Sequence, residues 1–182
     1  MAFMAVETWL KLHENRSQLI RFPGDRVFLR RLTFLIAFLA AGASLCAARD
    51  LAIVSNKSNA ISALTQPELV KLSKGEMSRW PDGKPVTFIM RGPSTPEMKV
   101  FLEKVYELPA AQVSELISTA NHGRANHPAI MIVESDEDLV NKVASLPGAV
   151  GVVDVYAINS SVTVVKIAGK LPLEPGYFLH GN

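Results

Sequence analysis

The sequence predicts an α/β domain in which a mostly parallel β-sheet is flanked by helices, and two observations support this fold class. Short apolar runs rich in β-branched residues alternate along the chain with segments whose apolar residues recur at helical spacing, which is typical of strands alternating with covering helices. The chain has 182 residues, 48% hydrophobic and 20% charged, a composition typical of a globular protein of about one domain.

The first predicted elements are two strands separated by a short helix and a turn. DLAIVSN at 50–56 has four consecutive apolar residues ended by Ser and Asn, which indicates a buried strand. A helix is predicted to begin at Ser62 or Thr65, with Thr65 favoured as the N-cap, and to close at Gly75. RWPDGKP at 79–85 has turn composition, and VTFIM at 86–90 is the second strand.

The remainder is predicted to continue the alternation of helices and strands. Helices are predicted at 97–108, 111–120 and 136–146, and strands at 129–135, 149–158 and 161–167. Ser135 is the predicted N-cap of the helix at 136–146, whose acidic first turn favours a helix N-terminus. A short Asn-Ser turn separates the last two strands, so they are predicted to form a hairpin.

The N-terminal part resembles an export signal. Residues 1–31 end in a basic flank and 32–48 form an apolar run ending in small residues, so 49–182 is the predicted domain. Cleavage is predicted near Cys46–Ala48, which makes the mature protein periplasmic; an uncleaved membrane anchor is the alternative, although a 17-residue run is short for a bilayer span. Cys46 is the single cysteine, and Leu45 before it disfavours lipidation.

The formal charge of +2 belongs to the leader. Residues 1–48 hold six Lys or Arg and three Asp or Glu, a net of +3, which leaves thirteen basic and fourteen acidic residues, a net of −1, in 49–182. A domain with this balance gives no reason to expect nucleic acid as a partner.

Three segments of the chain together resemble a known family. They are LAIVSNKSNAISALTQPELVKLSKGEMSRWPDG, VTFIMRGPSTPEMKVFLEKV and SDEDLVNKVASLPGAVGVVDV. With their Trp-Pro-Asp-Gly turn and Pro-Gly-Ala-Val-Gly sequence, they are similar to the phosphate-binding proteins of ABC transporters and their short single-domain relatives. The resemblance implies a single lobe of the type II periplasmic binding protein fold. It also implies phosphate or a related oxyanion as ligand, and an ABC transporter permease or another envelope protein as partner.

The candidate ligand-binding residues follow two predicted strands. Ser94 and Thr95 precede Pro96 at a helix start, where backbone N–H groups, the helix dipole and hydroxyls favour an oxyanion. Arg91 ends the strand before them and could add a bidentate contact. Ser55 and Asn56 end the first strand, where ligand crevices of α/β sheets usually open.

Each of these residues also has a purely structural interpretation, as a helix cap, a solvated charge or a strand end. The family has Ser-Gly-Thr-Arg at this helix start, whereas this chain has Ser94-Thr95-Pro96-Glu97, and the Glu97 carboxylate competes for the same dipole. Two functions therefore stay open: an exported oxyanion-binding domain for uptake or sensing, and a ligand-free protein-interaction or sensory module.

Catalytic and metal chemistry find little support in the sequence. No Gly-x-Ser-x-Gly motif or nucleotide-binding loop is present, so we expect no enzyme and no cofactor. His122 and His127 are five residues apart without a cysteine nearby, which does not make a metal site. Arg124 in the same polar loop is a second cation that could face an anion.

Overall fold

The computed structural model describes residues 49–124 and 126–181. The described residues belong to one compact unit, Ala47–Asn182. The predicted segments 1–31 and 32–48, with the cleavage site near Cys46–Ala48, lie outside the described residues. Within the described ranges, no helix has the length and apolar character needed to cross a membrane.

The described residues form one six-stranded sheet and four α-helices. The strands are β1 Leu51–Asn56, β2 Ala63–Leu64, β3 Thr87–Arg91, β4 Ile130–Val133, β5 Ala149–Asp154 and β6 Val162–Ile167. The helices are α1 Gln66–Ser73, α2 Lys99–Phe101, α3 Ala110–Asn121 and α4 Asp136–Ser145. Helix α2 lies between a 3-10 turn, Pro96–Met98, and a π-helical turn, Leu102–Tyr106, and another 3-10 turn, Val155–Ala157, follows β5.

Local sequence signals account for where the helices begin. Thr65 caps α1 as predicted: its hydroxyl accepts from the Glu68 backbone N–H and the Glu68 carboxylate accepts from the Thr65 N–H, a reciprocal capping box. The Ser135 hydroxyl caps α4 by accepting from the Asp138 backbone N–H at 3.0 Å. The predicted helix at 97–108 is helical but irregular, since only three of its residues are α-helical.

The strand order is β2-β6-β1-β5-β3-β4. β3 pairs in parallel with both β4 and β5, and β2 pairs in parallel with β6. β1 pairs antiparallel with both β5 and β6. Five strands therefore run in one direction and β1 alone runs in the other, which confirms the predicted, mostly parallel α/β sheet.

The predicted hairpin of the last two strands is wrong. β5 and β6 do not pair; β1 lies between them, with Leu51 opposite Asp154 and Asn56 opposite Val162. Because β5 ends beside the start of β1 and β6 begins beside its end, the connection 155–161 must run back along the length of β1. The short turn signal therefore marks a crossover between parallel strands.

Helices cover both faces of the sheet. On one face, α4 packs against a small core. On the other face, α1, α3 and the irregular helix enclose a larger core. The fully buried side chains of the larger core include Phe88, Phe101, Leu69, Leu72 and Met98. Since both apolar faces are buried within Ala47–Asn182, we expect this unit to fold on its own.

Candidate functional site at the carboxyl edge of the sheet

The strand directions bring charged residues together at one edge of the sheet. Arg91 ends β3, Asp154 ends β5, and Asp136 begins α4 directly after β4. Because β1 runs in the opposite direction, its beginning lies at this same edge, so Arg49 joins the group. The carboxyl edge of an α/β sheet is where ligands of this fold class commonly bind.

Arg91 lies between two carboxylates. Its side chain is 19% exposed, Nη1 is 3.7 Å from Asp136 Oδ1, and Nη2 is 4.0 Å from Glu97 Oε2. The other Glu97 oxygen, Oε1, is 3.3 Å from Arg49 Nη1. The Nε atom of Arg91 is buried and has no hydrogen-bond partner among the residues that the structure describes. Both ion pairs are longer than a hydrogen bond, so the carboxylates balance the charge of Arg91 without using its N–H donors.

The cluster carries more negative than positive groups. Arg49 and Arg91 both pair with the Glu97 carboxylate, and Arg91 also pairs with Asp136. A third carboxylate, that of Asp154, acts on Asp136. Burial raises the pKa of Asp136 above its ordinary value; Arg91 acts against this shift, while Asp154 and Glu97 add to it. The arrangement can hold an anion at its guanidinium groups, in competition with its own carboxylates.

Ser94 and Thr95 lie beside this cluster, at the start of the helical segment. Ser94 is exposed. The Thr95 hydroxyl donates to the Gly92 carbonyl at 2.8 Å and makes no helix-capping hydrogen bond. The segment opens with the 3-10 turn Pro96–Met98, so the dipole available at this point is that of a single turn.

The structure does not bring Ser55 and Asn56 to the Arg91 cluster. Both lie at the end of β1, and because β1 is antiparallel to β5 this end is at the opposite edge of the sheet. The ends of β1 and β3 would lie at the same edge only if β1 ran parallel to the other strands. The five candidate residues therefore divide into a group of three and a group of two.

The side-chain amide of Asn56 has all its donors and acceptors in hydrogen bonds within the domain. Its Nδ2 donates to the carbonyls of Val143 and Ala144 at 2.9 and 2.8 Å, near the end of α4. Its Oδ1 accepts from the backbone N–H and the hydroxyl of Ser58. The Ser55 hydroxyl accepts from Asn59 Nδ2 at 3.0 Å. These contacts tie β1 to α4 and to the following loop.

Sequence reasoning missed Arg49 and the electrostatic role of Asp136. From the sequence, Arg49 is only the first residue of the predicted domain, and Asp136 is only part of the acidic first turn of a predicted helix. Asp136 is indeed the first residue of α4. The sequence carries no local signal for Arg49, because only the reversed direction of β1 in the sheet brings the first residues of that strand to the carboxyl edge.

The polar loop after α3 lies apart from this cluster. Arg124 and His127 border a groove with Ser78, Arg79 and Pro85, and His122 is exposed. Across residues 49–124 and 126–181, no three His, Cys, Asp or Glu side chains come close enough together to hold a metal ion.

Comparison with known proteins identifies the family of this chain. The model of the PBP (periplasmic binding protein) superfamily domain matches residues 40–177. The chain therefore belongs to this family of PBP superfamily domains. A search of curated proteins found no match.

Several solved structures share the fold of this chain. An ABC-type phosphate transport receptor from Vibrio cholerae matches with a TM-score of 0.54 and 18% identity, covering 68% of this chain and 48% of that one. PstS from Borrelia burgdorferi matches with a TM-score of 0.56, 14% identity and coverages of 74% and 55%. A phosphate-binding protein from Stenotrophomonas maltophilia matches with a TM-score of 0.55 and 16% identity, covering 69% of this chain and 40% of that one. The predicted resemblance is confirmed at the level of family and fold, and the chain spans about half the length of these relatives.

Proposed function

We propose that this chain is an exported, non-enzymatic solute-binding domain that takes phosphate or a related oxyanion at the Arg91 edge of its sheet, for uptake or sensing. The observation that carries the proposal is the Arg91 side chain at the end of β3, with a buried Nε that has no partner and with Ser94 and Thr95 next along the loop. Guanidinium groups bind oxyanions by paired, charge-assisted hydrogen bonds. The family and the phosphate-binding fold relatives add support.

The proposed location of the mature protein is the periplasm, and the proposed partner is another protein of the cell envelope. Export follows from the apolar run at 32–48 with its basic flank, and cleavage near Cys46–Ala48 would release a periplasmic protein. An ABC transporter permease or another envelope protein is the proposed partner, since one fold relative is described as a transport receptor.

The test is calorimetric titration of residues 47–182 with phosphate, with sulfate as the comparison. We expect heat with phosphate in the native sequence and its loss in Arg91→Ala, because the variant removes the guanidinium group. Arg124→Ala is the matched control: it removes the same side chain from the loop after α3 and should leave the titration unchanged. Absence of heat up to about millimolar phosphate, a free energy of about −4 kcal/mol, would contradict the proposal.

One observation favours a second function, a protein-interaction or sensory module without a small ligand. The carboxylates of Glu97 and Asp136 already neutralise Arg91, and the chain spans about half the length of its fold relatives. This alternative predicts no heat with either anion. It also predicts that an Arg91 variant changes affinity for a protein partner without changing any anion titration.

A further inference from the structure

The Glu97 carboxylate lies between two guanidinium groups. Its Oε1 is 3.3 Å from Arg49 Nη1, and its Oε2 is 4.0 Å from Arg91 Nη2. A carboxylate and a phosphate group offer guanidinium donors the same kind of oxygen acceptor. The Glu97 carboxylate is therefore itself an anion held between two cations.

We propose that Glu97 is an internal competitor for the anion site and that Arg49 is a second cation of that site, an inference that rests on the proposed function. An incoming oxyanion displaces the Glu97 carboxylate and takes its place between Arg49 and Arg91. Glu97 thereby determines how tightly the domain holds its ligand.

The ion-pair contacts of Arg91 show which of its sides is open to a ligand. Nη1 faces Asp136 at 3.7 Å, whereas Nε has no partner and Nη2 has only the distant Glu97 oxygen. Nε and Nη2 form one edge of the planar guanidinium group, the edge that binds two oxygens at once. A phosphate in place of the Glu97 carboxylate can satisfy both donors, which the carboxylate does not.

Glu97 is better placed to leave than Asp136. The two side chains are almost equally exposed, 22% for Glu97 and 20% for Asp136, but Glu97 has the longer side chain and belongs to the short 3-10 turn Pro96–Met98. Asp136 starts the ten-residue helix α4, which is fixed by the cap at Ser135. Asp136 therefore stays in place and keeps Arg91 oriented while Glu97 moves out.

The charges of the cluster agree with displacement. With Glu97 in place, the cluster holds two cations, Arg49 and Arg91, and three carboxylates, an excess of one negative charge. The third carboxylate is that of Asp154, which acts on Asp136. Removing Glu97 leaves two cations and two anions. An oxyanion then enters a neutral cluster, where repulsion by ionised groups no longer exceeds attraction.

The experiment is phosphate titration of residues 47–182 in the native sequence, in Glu97→Gln and in the double variant Arg49→Ala with Glu97→Gln. Glutamine keeps the shape of the side chain and removes its charge, so we expect phosphate to bind about tenfold more tightly, the effect of one charge-assisted hydrogen bond. The double variant should lose that gain. Glu103→Gln is the matched control, since Glu103 is exposed on the same helical segment and pairs only with Lys99 at 4.0 Å.

The outcomes separate this inference from the proposed function. If the native sequence binds phosphate and Glu97→Gln binds it no more tightly, the inference is overturned and the proposed function stands. If Glu97→Gln binds while the native sequence does not, the inference is supported. If neither binds and both unfold cooperatively on heating, the site is not an anion site and both proposals fail.

Discussion

At the scale of single residues, Asp136 shows two opposing influences on one carboxyl group. It is the first residue of α4, where the helix dipole favours a negative charge, and Arg91 Nη1 is 3.7 Å away. Burial nevertheless dominates and raises its pKa, with the neighbouring Asp154 and Glu97 charges acting in the same direction. The folded domain therefore favours the protonated form of Asp136 more than the unfolded chain does.

This shift predicts a pH dependence of stability with a defined sign. Over a range that starts near the ordinary pKa of 3.8 and extends above the raised pKa, the folded state binds more protons than the unfolded state, so the free energy of unfolding falls as pH rises. Asp136→Asn cannot ionise and removes this contribution. Its stability relative to the native sequence should thus increase between pH 3 and pH 7, as measured by urea unfolding. Parallel stability curves for the two proteins would show that Asp136 ionises alike in both states.

At the scale of elements, the two motifs that carry the family resemblance pack against each other. Trp80 of the Trp-Pro-Asp-Gly turn donates its indole N–H to the carbonyl of Gly148, which precedes β5, at 2.8 Å. Gly148 has a φ of +89°, and a Cβ there would lie 2.0 Å from the Pro85 carbonyl oxygen. The motifs are specific in combination because each one forms part of the other's contact surface.

This contact predicts that Gly148→Ala destabilises the domain severely. The methyl group meets backbone that cannot rotate away, and the positive φ adds about 1–2 kcal/mol for any residue with a Cβ. We expect a loss of about 3 kcal/mol or more in denaturant unfolding. Gly83→Ala is the control: φ is +84°, and nothing lies within 4 Å of the added Cβ, so only the backbone cost applies. Equal losses in both variants would show that the Pro85 contact relaxes freely.

The elements also show which features of the fold can be predicted from the sequence. Periodicity and capping residues are local, so the strands 50–56 and 86–90 and the helix after Thr65 could be predicted closely. Strand pairing depends on segments that are distant in sequence, so the position of β1 between β5 and β6 could not be predicted. The two-residue strand β2 is too short to leave a periodic signal.

At the scale of the whole molecule, the candidate site could also be predicted only where its residues are close in sequence. Arg91, Ser94 and Thr95 are close in sequence and could be grouped from it. Arg49 reaches the site only because β1 reverses direction, and Asp136 because β4 lies next to β3. The separation of Ser55 and Asn56 from Arg91 has the same origin, since it depends on the direction of one strand.

The C-terminal segment after β6, to which the sequence assigned no element, closes the larger core. The Leu51 backbone N–H donates to the Leu179 carbonyl at 3.2 Å, and Leu179 is fully buried with Tyr177 beside it in the core. Asp50 Oδ1 accepts from the Gly181 backbone N–H at 3.1 Å and lies 2.6 Å from His180 Nδ1. The two ends of the described domain are therefore joined at the start of β1.

We accordingly predict that Leu179→Ala costs about 2–5 kcal/mol of unfolding free energy, as expected for a leucine removed from a closed core. Leu171→Ala is the matched control: it removes the same atoms from the same segment, at a position 37% exposed, and should cost less than about 1 kcal/mol. Denaturant unfolding of both variants measures the difference. Equal small losses would mean that the core between β1 and the helices closes without the C-terminal segment, and that the segment only rests on its surface.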